Sequence, residues 1–585
     1  MKRRMQPSIT AVLVSLMALS NYQQHQGVVA FSSTRPSSVR VDRNIIRRQN
    51  RFLDIGGNRR KAKTATTNVY STLVDEKEKL ASESIIDVVA VPDEYTSTNL
   101  EQHKEENWLL HNLMEKIGTV DESRMAVPEF ASGEVPRMFS NISYKEKNVN
   151  GIMITQALHE SGSTVGAAAL VAGSTIGAGI LALPTATAPA GFIPSSGALI
   201  LAWAYMTLSG LLIAELAINR MGETGRQGIG LLELYSSSLG KNLGYVCGVS
   251  YFFLHYAVLV AYMSKGGSNL GLAMDAMGLD GMSSIYGFDQ ALFAASLGGF
   301  VYFARPSTVQ KFNNGLVLAV IATFVGVIGV GAGSADFDFS ALIALENQHP
   351  EMVVNALPIC FLSVVFHNVV PTVVTQLEGD RSKITKALFA GTFVPLLMFL
   401  GWNGVILGNV VNVPGALNNG IDPITVLQNS GVGGEVLGPL VTIFSELAIM
   451  TSIIGFIYGL LDAWTDVFKL PLKGPEFEKW KAPLFAAVLV PPLLFSLGNA
   501  NIFFDALDYG GAFGVSTLFL VLPSIMVWNE RYSDKEKMLT SPPMVPLGKL
   551  SLASMWKAAA TLILEQGADK LGLFEFFKEI FAQVD

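Results

Sequence analysis

The stretch AGSTIGAGILALP occupies residues 172–184, and LPICFLSVVFHNVVP occupies residues 357–371. Both lie in long apolar runs, and both combine proline with glycine or polar residues, which weaken a helix. A helix that opens in mid-membrane exposes backbone donors and acceptors, and these persist only beside water, ions or a ligand. Taken alone, Gly173 and Gly177 also fit close helix packing, and a lone proline fits a tolerated kink. Two interruptions in corresponding segments favour a binding site at the bilayer midplane.

The composition is that of a polytopic membrane protein. Of 585 residues, 50% are hydrophobic and 15% are charged, and the mean hydropathy is +0.39. Residues 164–214 and 387–421 contain no Asp, Glu, Lys or Arg, and each run exceeds the ~20 residues that cross a bilayer. The net charge of −7, without a sustained basic face, argues against nucleic acid as a partner. Two cysteines are too few for a disulfide framework or a thiolate metal site, so we predict no metal and no cofactor.

Hydropathy predicts ten membrane spans, numbered here in chain order. They lie near residues 164–190, 195–219, 243–264, 287–304, 314–333, 352–377, 385–409, 433–467, 482–497 and 503–528. The connections on one side of the membrane carry fifteen Lys or Arg, and those on the other side carry Lys265 alone. This asymmetry puts the N-terminus on the positive-inside face. We predict an all-α polytopic membrane protein with a five-plus-five inverted repeat, in which spans 1 and 6 are broken.

The first 150 residues have a different character. Residues 1–30 are typical of a signal peptide, residues 31–70 of a basic transit peptide, and residues 71–150 of an acidic, mostly disordered tail. The junction VVA–FSSTRP resembles the bipartite presequence of algae with complex plastids, which predicts the plastid inner envelope. An ordinary secretory signal, leading to the plasma membrane or an endomembrane, is the alternative.

The membrane domain is predicted at residues 151–530, followed by a C-terminal tail at residues 531–585. In that tail, the segment 550–571 contains Lys557, Glu565, Asp569 and Lys570. These charges favour an interfacial amphipathic helix over a degraded eleventh span.

Six segments resemble the tryptophan/tyrosine permease family of aromatic amino acid transporters, most closely its plant and algal tyrosine-specific branch. They are GSTIGAGILALPTATAPAGF (173–192), LHYAVLVAYMSKGG (254–267), VVFHNVVPTVV (364–374), LEGDRSKITKALFAGTFVPLLMFLGWNGVILG (377–408), SELAIMTSIIGFIYGLLDAWTD (445–466) and ALDYGGAFGVSTLFLVLPSIMVW (506–528). The resemblance covers about residues 160–530. It implies the LeuT-type five-plus-five fold, and bacterial members of the family, which have eleven spans, import tryptophan or tyrosine with protons.

The resemblance also implies substrate-binding residues in three spans. The open turn of span 1, which would hold the substrate carboxylate, consists of Gly173, Ser174, Thr175, Gly177 and Gly179. The span 6 residues that match a Phe-His-Gly motif are Phe366, His367 and Asn368. Asn368 departs from the motif's glycine, which leaves the identity of the substrate open. Tyr256 and Tyr262 of span 3 would face the site, although each also fits ordinary packing or interfacial anchoring.

Ionisable and hydroxyl side chains inside the spans are candidates for ion coupling, because an unpaired charge in hydrocarbon costs roughly 2.5–3.5 kcal/mol. The candidates are His367, Glu215, Thr451, Ser452 and Asp508, with His255 and Glu446 as further intramembrane ionisable residues. His367 ranks first because it lies in the interruption of span 6 and an imidazole exchanges protons near neutral pH. The alternative is a neutral histidine bonded to a backbone carbonyl.

The other coupling candidates also have two interpretations. Glu215 lies near the inner end of span 2, from which its side chain would snorkel to water. Thr451 and Ser452 lie where sodium-coupled members of the superfamily place hydroxyl ligands, whereas such hydroxyls usually bond their own helix backbone.

The resulting hypothesis is a secondary active transporter of aromatic (tyrosine or tryptophan) or other neutral amino acids, working by alternating access. Its partners would be the amino acid, the lipid bilayer and a coupling H+, with Na+ as the alternative. The sequence has no GxxxxGK[ST] loop, so direct ATP hydrolysis is not supported. An enzyme is disfavoured because LEGD (377–380) adjoins Arg381 and Lys383 in a connection. A channel is disfavoured because it would need a continuous polar lining.

Overall fold

The structure is a computed structural model, and it describes residues 142–149, 152–159, 162–225, 228–279, 281, 285–417, 421–429, 431–471, 474–498, 502–533 and 539–573. All of these belong to the unit Glu101–Asp585. The predicted signal peptide, the predicted transit peptide and most of the acidic tail lie outside the described residues. The plastid location that depends on them therefore stays a prediction.

A β-hairpin precedes the first span. Strand β1 (Ile142–Val149) pairs antiparallel with β2 (Ile152–His159), with Ile142 opposite His159 and Val149 opposite Ile152. The sequence between the strands is Asn-Gly, which is typical of a two-residue hairpin turn. The two strands lie on either side of residue 150, where the sequence analysis placed the boundary between tail and membrane domain, and that analysis did not predict them.

The structure has helix at each predicted span. The bounds are Thr164–Thr175 and Ala178–Thr187 (span 1), Phe192–Thr224 (2), Leu231–Ala276 (3), Phe288–Phe303 (4), Pro306–Ala332 (5), Val353–Ser363 and Val370–Gln376 (6), Arg381–Val410 (7), Gly434–Phe468 (8), Pro475–Ser496 (9) and Ile502–Trp528 (10), of which Gly510–Val521 is π-helical. Short helices Phe339–Ile343 and Pro423–Asn429 lie in the connections after spans 5 and 7.

Length and composition support most of these spans as membrane crossings. Within the described residues, seven helices are long and apolar enough to cross a membrane, and the bent pair of span 1 brings the number to eight. Span 4, with 16 residues, and span 9, which begins with Glu476 and Glu478, are not among them. The predicted all-α polytopic membrane protein is confirmed, while the count of ten and the five-plus-five repeat stay predictions.

Both predicted interruptions are present, but not at the prolines. Pro184 and Pro358 lie inside regular helices, and the chain opens at Ile176–Gly177 in span 1 and at Val364–Phe366 in span 6. A proline removes one backbone donor and a helix can bend around that loss, whereas a full opening needs several residues to leave helical geometry. We call the four helices span 1a (Thr164–Thr175), span 1b (Ala178–Thr187), span 6a (Val353–Ser363) and span 6b (Val370–Gln376).

The C-terminal helix (Gly548–Lys570) runs antiparallel to span 10. Near its start, the Lys549 ammonium lies 5.0 Å from the centre of the Tyr532 ring, and at its end Lys570 forms an ion pair with Asp508. Its 23 residues are about 35 Å long, which is enough to cross the hydrocarbon core. The helix is nevertheless not among those that are both long and apolar enough to cross a membrane, so the choice between an interfacial helix and an eleventh span stays a prediction.

Candidate functional site

The break in span 1 leaves both backbone carbonyl acceptors and backbone amide donors without helical partners. The amide of Ile176 donates to the carbonyl of Ala172 at 3.2 Å, Gly177 is extended (φ −149°, ψ −153°), and the two halves are bent by 54°. The last carbonyls of span 1a and the first amides of span 1b have no partner within their own helices. The break therefore presents acceptors from one helix end and donors from the other, next to each other.

Span 6 opens in the same way. Its chain leaves the helix after Ser363, passes through Val364–Phe366 and re-enters helix through a 3₁₀ turn at His367–Val369. The break includes Phe366, with φ −142° and ψ 1°. The carbonyls of Phe361 and Leu362 accept from the amides of Val364 and Val365 at 3.3 Å, and no backbone donor to the carbonyl of Ser363, the last residue of span 6a, is found among the described residues.

The two broken spans meet at Gly179. A Cβ atom at this glycine would lie 2.5 Å from Cα of Ser363, so only glycine permits so close an approach. Gly179 is buried in this contact, and its role is helix packing between spans 1b and 6a rather than an open turn.

The open point of span 1 is Gly177. A Cβ atom there would lie 3.1 Å from Oη of Tyr262 in span 3 and 3.3 Å from Oγ of Ser452 in span 8. Three predicted site residues from three different spans therefore converge on this break.

The other predicted residues of the span 1 turn are not part of the opening. The hydroxyls of Ser174 and Thr175 donate to the carbonyl of Val171 at 2.9 and 2.8 Å. Gly173 lies inside span 1a, and a Cβ atom there would meet no atom within 4 Å. Serine and threonine hydroxyls in membrane helices commonly bond the preceding turn, which explains why the predicted carboxylate ligands are engaged locally.

The two predicted tyrosines of span 3 point in different directions. The hydroxyl of Tyr256 donates to the carbonyl of Ala487 at 2.7 Å and accepts from Nε1 of Trp464 at 3.0 Å, so this side chain ties span 3 to spans 8 and 9. Tyr262 is 1% exposed and packs edge-on against Phe456, with its hydroxyl beside Gly177. Only Tyr262 lies at the break.

This difference predicts unequal effects of the same substitution. We expect Tyr262→Phe to raise the KM for the transported amino acid about tenfold, because a buried polar partner would be lost at the site. The matched variant Tyr256→Phe, which loses hydroxyl contacts away from the break, should change KM by less than about threefold. Initial-rate uptake in proteoliposomes measures both, and equal effects would contradict the placement of Tyr262.

The three predicted residues of span 6 are consecutive, but their side chains have different surroundings. Phe366 packs on span 2, where a Cβ atom at Gly210 would lie 2.4 Å from its ring. His367 is fully buried, with its ring 4.6 Å from Phe366 and stacked 4.6 Å from Phe519 of span 10. Asn368, by contrast, is exposed.

His367 has apolar surroundings. Its two ring nitrogens have no hydrogen-bond partner among the described residues. The ring faces spans 2 and 10, so it does not share the opening formed by Gly177, Tyr262 and Ser452.

This packing gives a prediction for His367→Gln. If the imidazole carried the coupling proton, the pH profile of transport would flatten. The structure instead predicts an unchanged profile and a loss of about 0.5–1.5 kcal/mol of stability from the lost ring contacts. Uptake measured across a range of pH, together with a thermal melt in detergent, separates the two outcomes.

Glu215 belongs to a buried ion pair. Its carboxylate oxygens accept from Nε and Nη2 of Arg531 at 2.7 and 2.6 Å, and both side chains are 1% exposed. The amide of Met544 donates to the same carboxylate at 2.7 Å. Glu215 therefore holds the segment of residues 539–547, which we call the C-terminal strap, against the inner end of span 2.

The C-terminal strap has further anchors. Oδ1 of Asn219 accepts from the amides of Thr540 and Ser541 at 3.0 and 2.7 Å, and Nη2 of Arg381 donates to the Pro543 carbonyl at 3.0 Å. These bonds give Glu215 a structural role and explain its burial better than snorkelling would.

The remaining coupling candidates are also engaged. Asp508 pairs with Lys570 of the C-terminal helix. The hydroxyl of Thr451 donates to the Ala448 carbonyl at 2.9 Å. Ser452 is the one coupling candidate that adjoins the break in span 1, since its hydroxyl approaches Gly177.

An outer vestibule of about 790 Å³ lies between the outer ends of spans 3, 4 and 10 and the connection after span 7. Nζ of Lys265 lies 3.4 Å from Oδ2 of Asp422, and Oγ1 of Thr185 in span 1b donates to Oδ1 of Asp422 at 2.7 Å. Sequence reasoning missed this ion pair, although the single basic residue among the outer connections was a signal for it.

The family follows from comparison of the whole membrane domain with known proteins. The profile of the tryptophan/tyrosine permease family matches residues 160–553. The chain belongs to this family. This match confirms the family resemblance described in the sequence analysis. The assignment of the permease to the plant and algal branch of the family stays a prediction.

Named relatives match over most of their own length. The permease is 30% identical over 364 residues to the tryptophan-specific transport protein of Haemophilus influenzae, covering 60% of this chain and 84% of the relative. It is 29% identical over 378 residues to tyrosine-specific transport system 1 of the same organism, covering 63% and 88%. It is 28% identical over 396 residues to the tryptophan-specific transport protein of Shigella flexneri, covering 66% and 92%.

Among solved structures, the crystal structure of MhsT in complex with L-phenylalanine aligns with a TM-score of 0.46 and 15% identity, covering 70% of this chain and 98% of that one. A likeness at this TM-score carries no inference about the permease.

Proposed function

We propose that the permease is a secondary active transporter that carries an aromatic amino acid, tyrosine or tryptophan, by alternating access. The observation that carries the proposal is the break at Gly177, where the backbone carbonyls and amides at the two helix ends of span 1 lie beside Tyr262 and Ser452. The relatives named for tryptophan and tyrosine transport support an aromatic substrate.

The break suits a zwitterion. The positive N-terminal end of span 1b, a helix of 10 residues, would hold the α-carboxylate through backbone amides. The carbonyl ends of spans 1a and 6a would hold the α-ammonium group. Tyr262 and Phe456 place aromatic rings beside the opening, which suits an aromatic substrate side chain.

A counterflow panel of the twenty amino acids with the purified permease in proteoliposomes tests the proposal. We expect saturable exchange of tyrosine or tryptophan, competition by other aromatic amino acids, and little exchange of charged ones. Flux that does not saturate would indicate a channel, and product formation without uptake would indicate an enzyme; either result would overturn the proposal.

We propose H+ as the coupling ion and keep Na+ as the alternative. The local bond of Thr451 to its own helix disfavours a sodium site built on its hydroxyl. Substrate accumulation driven by a pH gradient in sodium-free buffer supports H+, and accumulation that requires sodium supports the alternative.

We also propose that the permease resides in the inner envelope of a complex plastid. The support is the order of segments in the sequence, an apolar signal followed by a basic stretch beginning at Phe31. A fluorescent reporter fused to residues 1–70 should enter the plastid, whereas one fused to residues 1–30 should stop in the secretory pathway. Secretion of both would leave the plasma membrane or an endomembrane as the site.

A further inference from the structure

Spans 3 and 8 pack along a regular seam. A Cβ atom at Gly459 would lie 3.5 Å from Nε2 of His255, and Nδ2 of Asn269 lies 3.3 Å from Oγ of Ser445. Tyr262 and Ser452, the pair at the break, lie midway between these two contacts. The steps are seven residues along each helix, which is two turns or about 10.5 Å. The Asn269–Ser445 contact is therefore about 10 Å outward from the break, on the same face of both spans.

Glu446 lies at the outer contact of this seam. Its Oε2 accepts from Nδ2 of Asn269 at 3.2 Å, so the Asn269 amide bonds both Ser445 and Glu446. Asn269 is 3% exposed and lines the outer vestibule. Asn269 therefore contacts both the Glu446 carboxyl group and the vestibule.

Glu446 differs from Glu215 and Asp508, the two carboxyl groups that the sequence analysis named as candidates for ion coupling. Glu215 is paired with Arg531, and Asp508 is paired with Lys570. Among the described residues, no Lys, Arg or His lies within ion-pair distance of Glu446, and its bonded partner is the neutral amide of Asn269. It lies well inside span 8, twelve residues after that helix begins.

The charged groups around Glu446 lie on several elements. Lys265, Asp275 and Asp289 line the vestibule from spans 3 and 4, Asp505 lines it from span 10, and Asp422 precedes the short helix Pro423–Asn429. Lys265 is held by Asp422 at 3.4 Å. Span 1b has no titratable side chain, and the charged residues of spans 5 and 9 lie at their inner ends. On the seam itself, the nearest titratable groups inward are Tyr262 and then His255.

We propose that the Glu446 carboxyl group is the binding site of the coupling proton, which reaches it from the outer vestibule when Asn269 turns aside. The proposal rests on the proposed function. The charged form of an unpaired carboxyl group is costly at membrane depth, and one bound proton removes that charge. The protonated form suits the closed seam, and the ionised form suits the open, hydrated vestibule. The seam places this exchange two helical turns from the substrate at Gly177, so closing the seam affects both.

The test is the variant Glu446→Gln in proteoliposomes that contain a pH-sensitive dye. The wild-type permease should acidify the vesicle interior when it takes up tyrosine or tryptophan. Glu446→Gln should keep substrate exchange within about threefold of wild type, lose substrate-coupled acidification, and no longer accumulate substrate in response to a pH gradient. Glu435→Gln, an exposed carboxylate in the first turn of the same helix, is the matched control and should behave as wild type.

Each outcome decides one of the two proposals. Acidification by Glu446→Gln at the wild-type ratio to substrate overturns the proton site and leaves the transporter intact. Wild-type exchange that needs sodium and moves no protons also overturns the site alone. Absence of exchange by the wild-type permease overturns the proposed function.

A measurement on the wild-type permease covers the case in which the variant does not fold. A hydrophobic carbodiimide reacts with protonated carboxyl groups in apolar surroundings, and mass spectrometry locates the modified residue. Glu446 should be modified, and its modification should fall as pH rises over the range in which the permease stays folded, because the reactive form is the protonated one. Modification of Glu446 that is absent, or constant over this range, overturns the proposal.

Discussion

Gly177→Leu should abolish concentrative uptake of tyrosine and tryptophan while the permease still inserts in the membrane. A Cβ atom at this position already lies 3.1 Å from the Tyr262 hydroxyl and 3.3 Å from the Ser452 hydroxyl, so the longer side chain must occupy the opening itself. Overpacking costs about 1–3 kcal/mol, which corresponds to about 5- to 150-fold in affinity, and the substrate also loses its place at the backbone poles.

Gly329→Leu in span 5 is the matched control. Gly329 is exposed within its helix, and a Cβ atom there would meet no atom within 4 Å. This variant should transport at near the wild-type rate. Substrate binding by equilibrium dialysis, with size-exclusion chromatography as the folding check, completes the comparison. Wild-type binding by a folded Gly177→Leu protein would remove the break from the substrate site.

Glu215→Ala should produce the largest loss of stability. The substitution would leave the guanidinium of Arg531, which is 1% exposed, without the carboxylate that bonds it twice. Removal of one partner from a buried pair costs about 3–5 kcal/mol. The Met544 amide would also lose its acceptor, so the C-terminal strap should detach from span 2 and become a site of proteolysis.

Two comparisons isolate the ion pair. The double variant Glu215→Gln with Arg531→Met removes both charges and should recover most of the lost stability. Glu223→Ala breaks the exposed Arg220–Glu223 pair (3.0 Å) near the same end of span 2 and should cost about 0–1 kcal/mol. Unfolding in a detergent titration gives all three values. A Glu215→Ala protein as stable as Glu223→Ala would show that the buried pair contributes little.

The sequence predicted the broken spans because their signal is local. Glycine, proline and polar residues interrupt apolar runs at residues 172–184 and 357–371, and the structure opens both segments. The exact positions of the openings were not predictable from proline. Pro184 and Pro358 sit in regular helix, because the energy of a kink depends on the neighbouring spans as well as on the residue itself.

Span 3 shows which part of the site was predictable in principle. Tyr256 and Tyr262 are six residues apart, which separates their directions by about 120° around the helix. One helix face cannot present both to a single opening, so helical geometry alone implies that one of them points elsewhere. The choice of Tyr262 depends on packing against spans 1 and 8, which only the structure supplies.

Ion pairs were the least predictable part of the site. Arg531 lies 316 residues after Glu215 in the chain, and no local pattern joins them. The sequence therefore indicated Glu215 as a coupling candidate from its position in an apolar span, since an unpaired and a paired carboxylate look alike in sequence. The same limit applies to Asp508, whose partner Lys570 comes from a helix that its charges had suggested was interfacial.

The lining of the outer vestibule carries more acidic than basic side chains. The acidic residues are Asp275, Asp289, Asp422 and Asp505, and the basic residue is Lys265. A negatively charged entrance enriches hydronium ions and repels dicarboxylic amino acids before they approach the membrane interior. Because such a field decays over about 8 Å at physiological ionic strength, the filtering is confined to the entrance and weakens in concentrated salt. We therefore expect electrostatic repulsion at the entrance to disfavour glutamate and aspartate, and the deeper contacts to determine the choice among uncharged solutes.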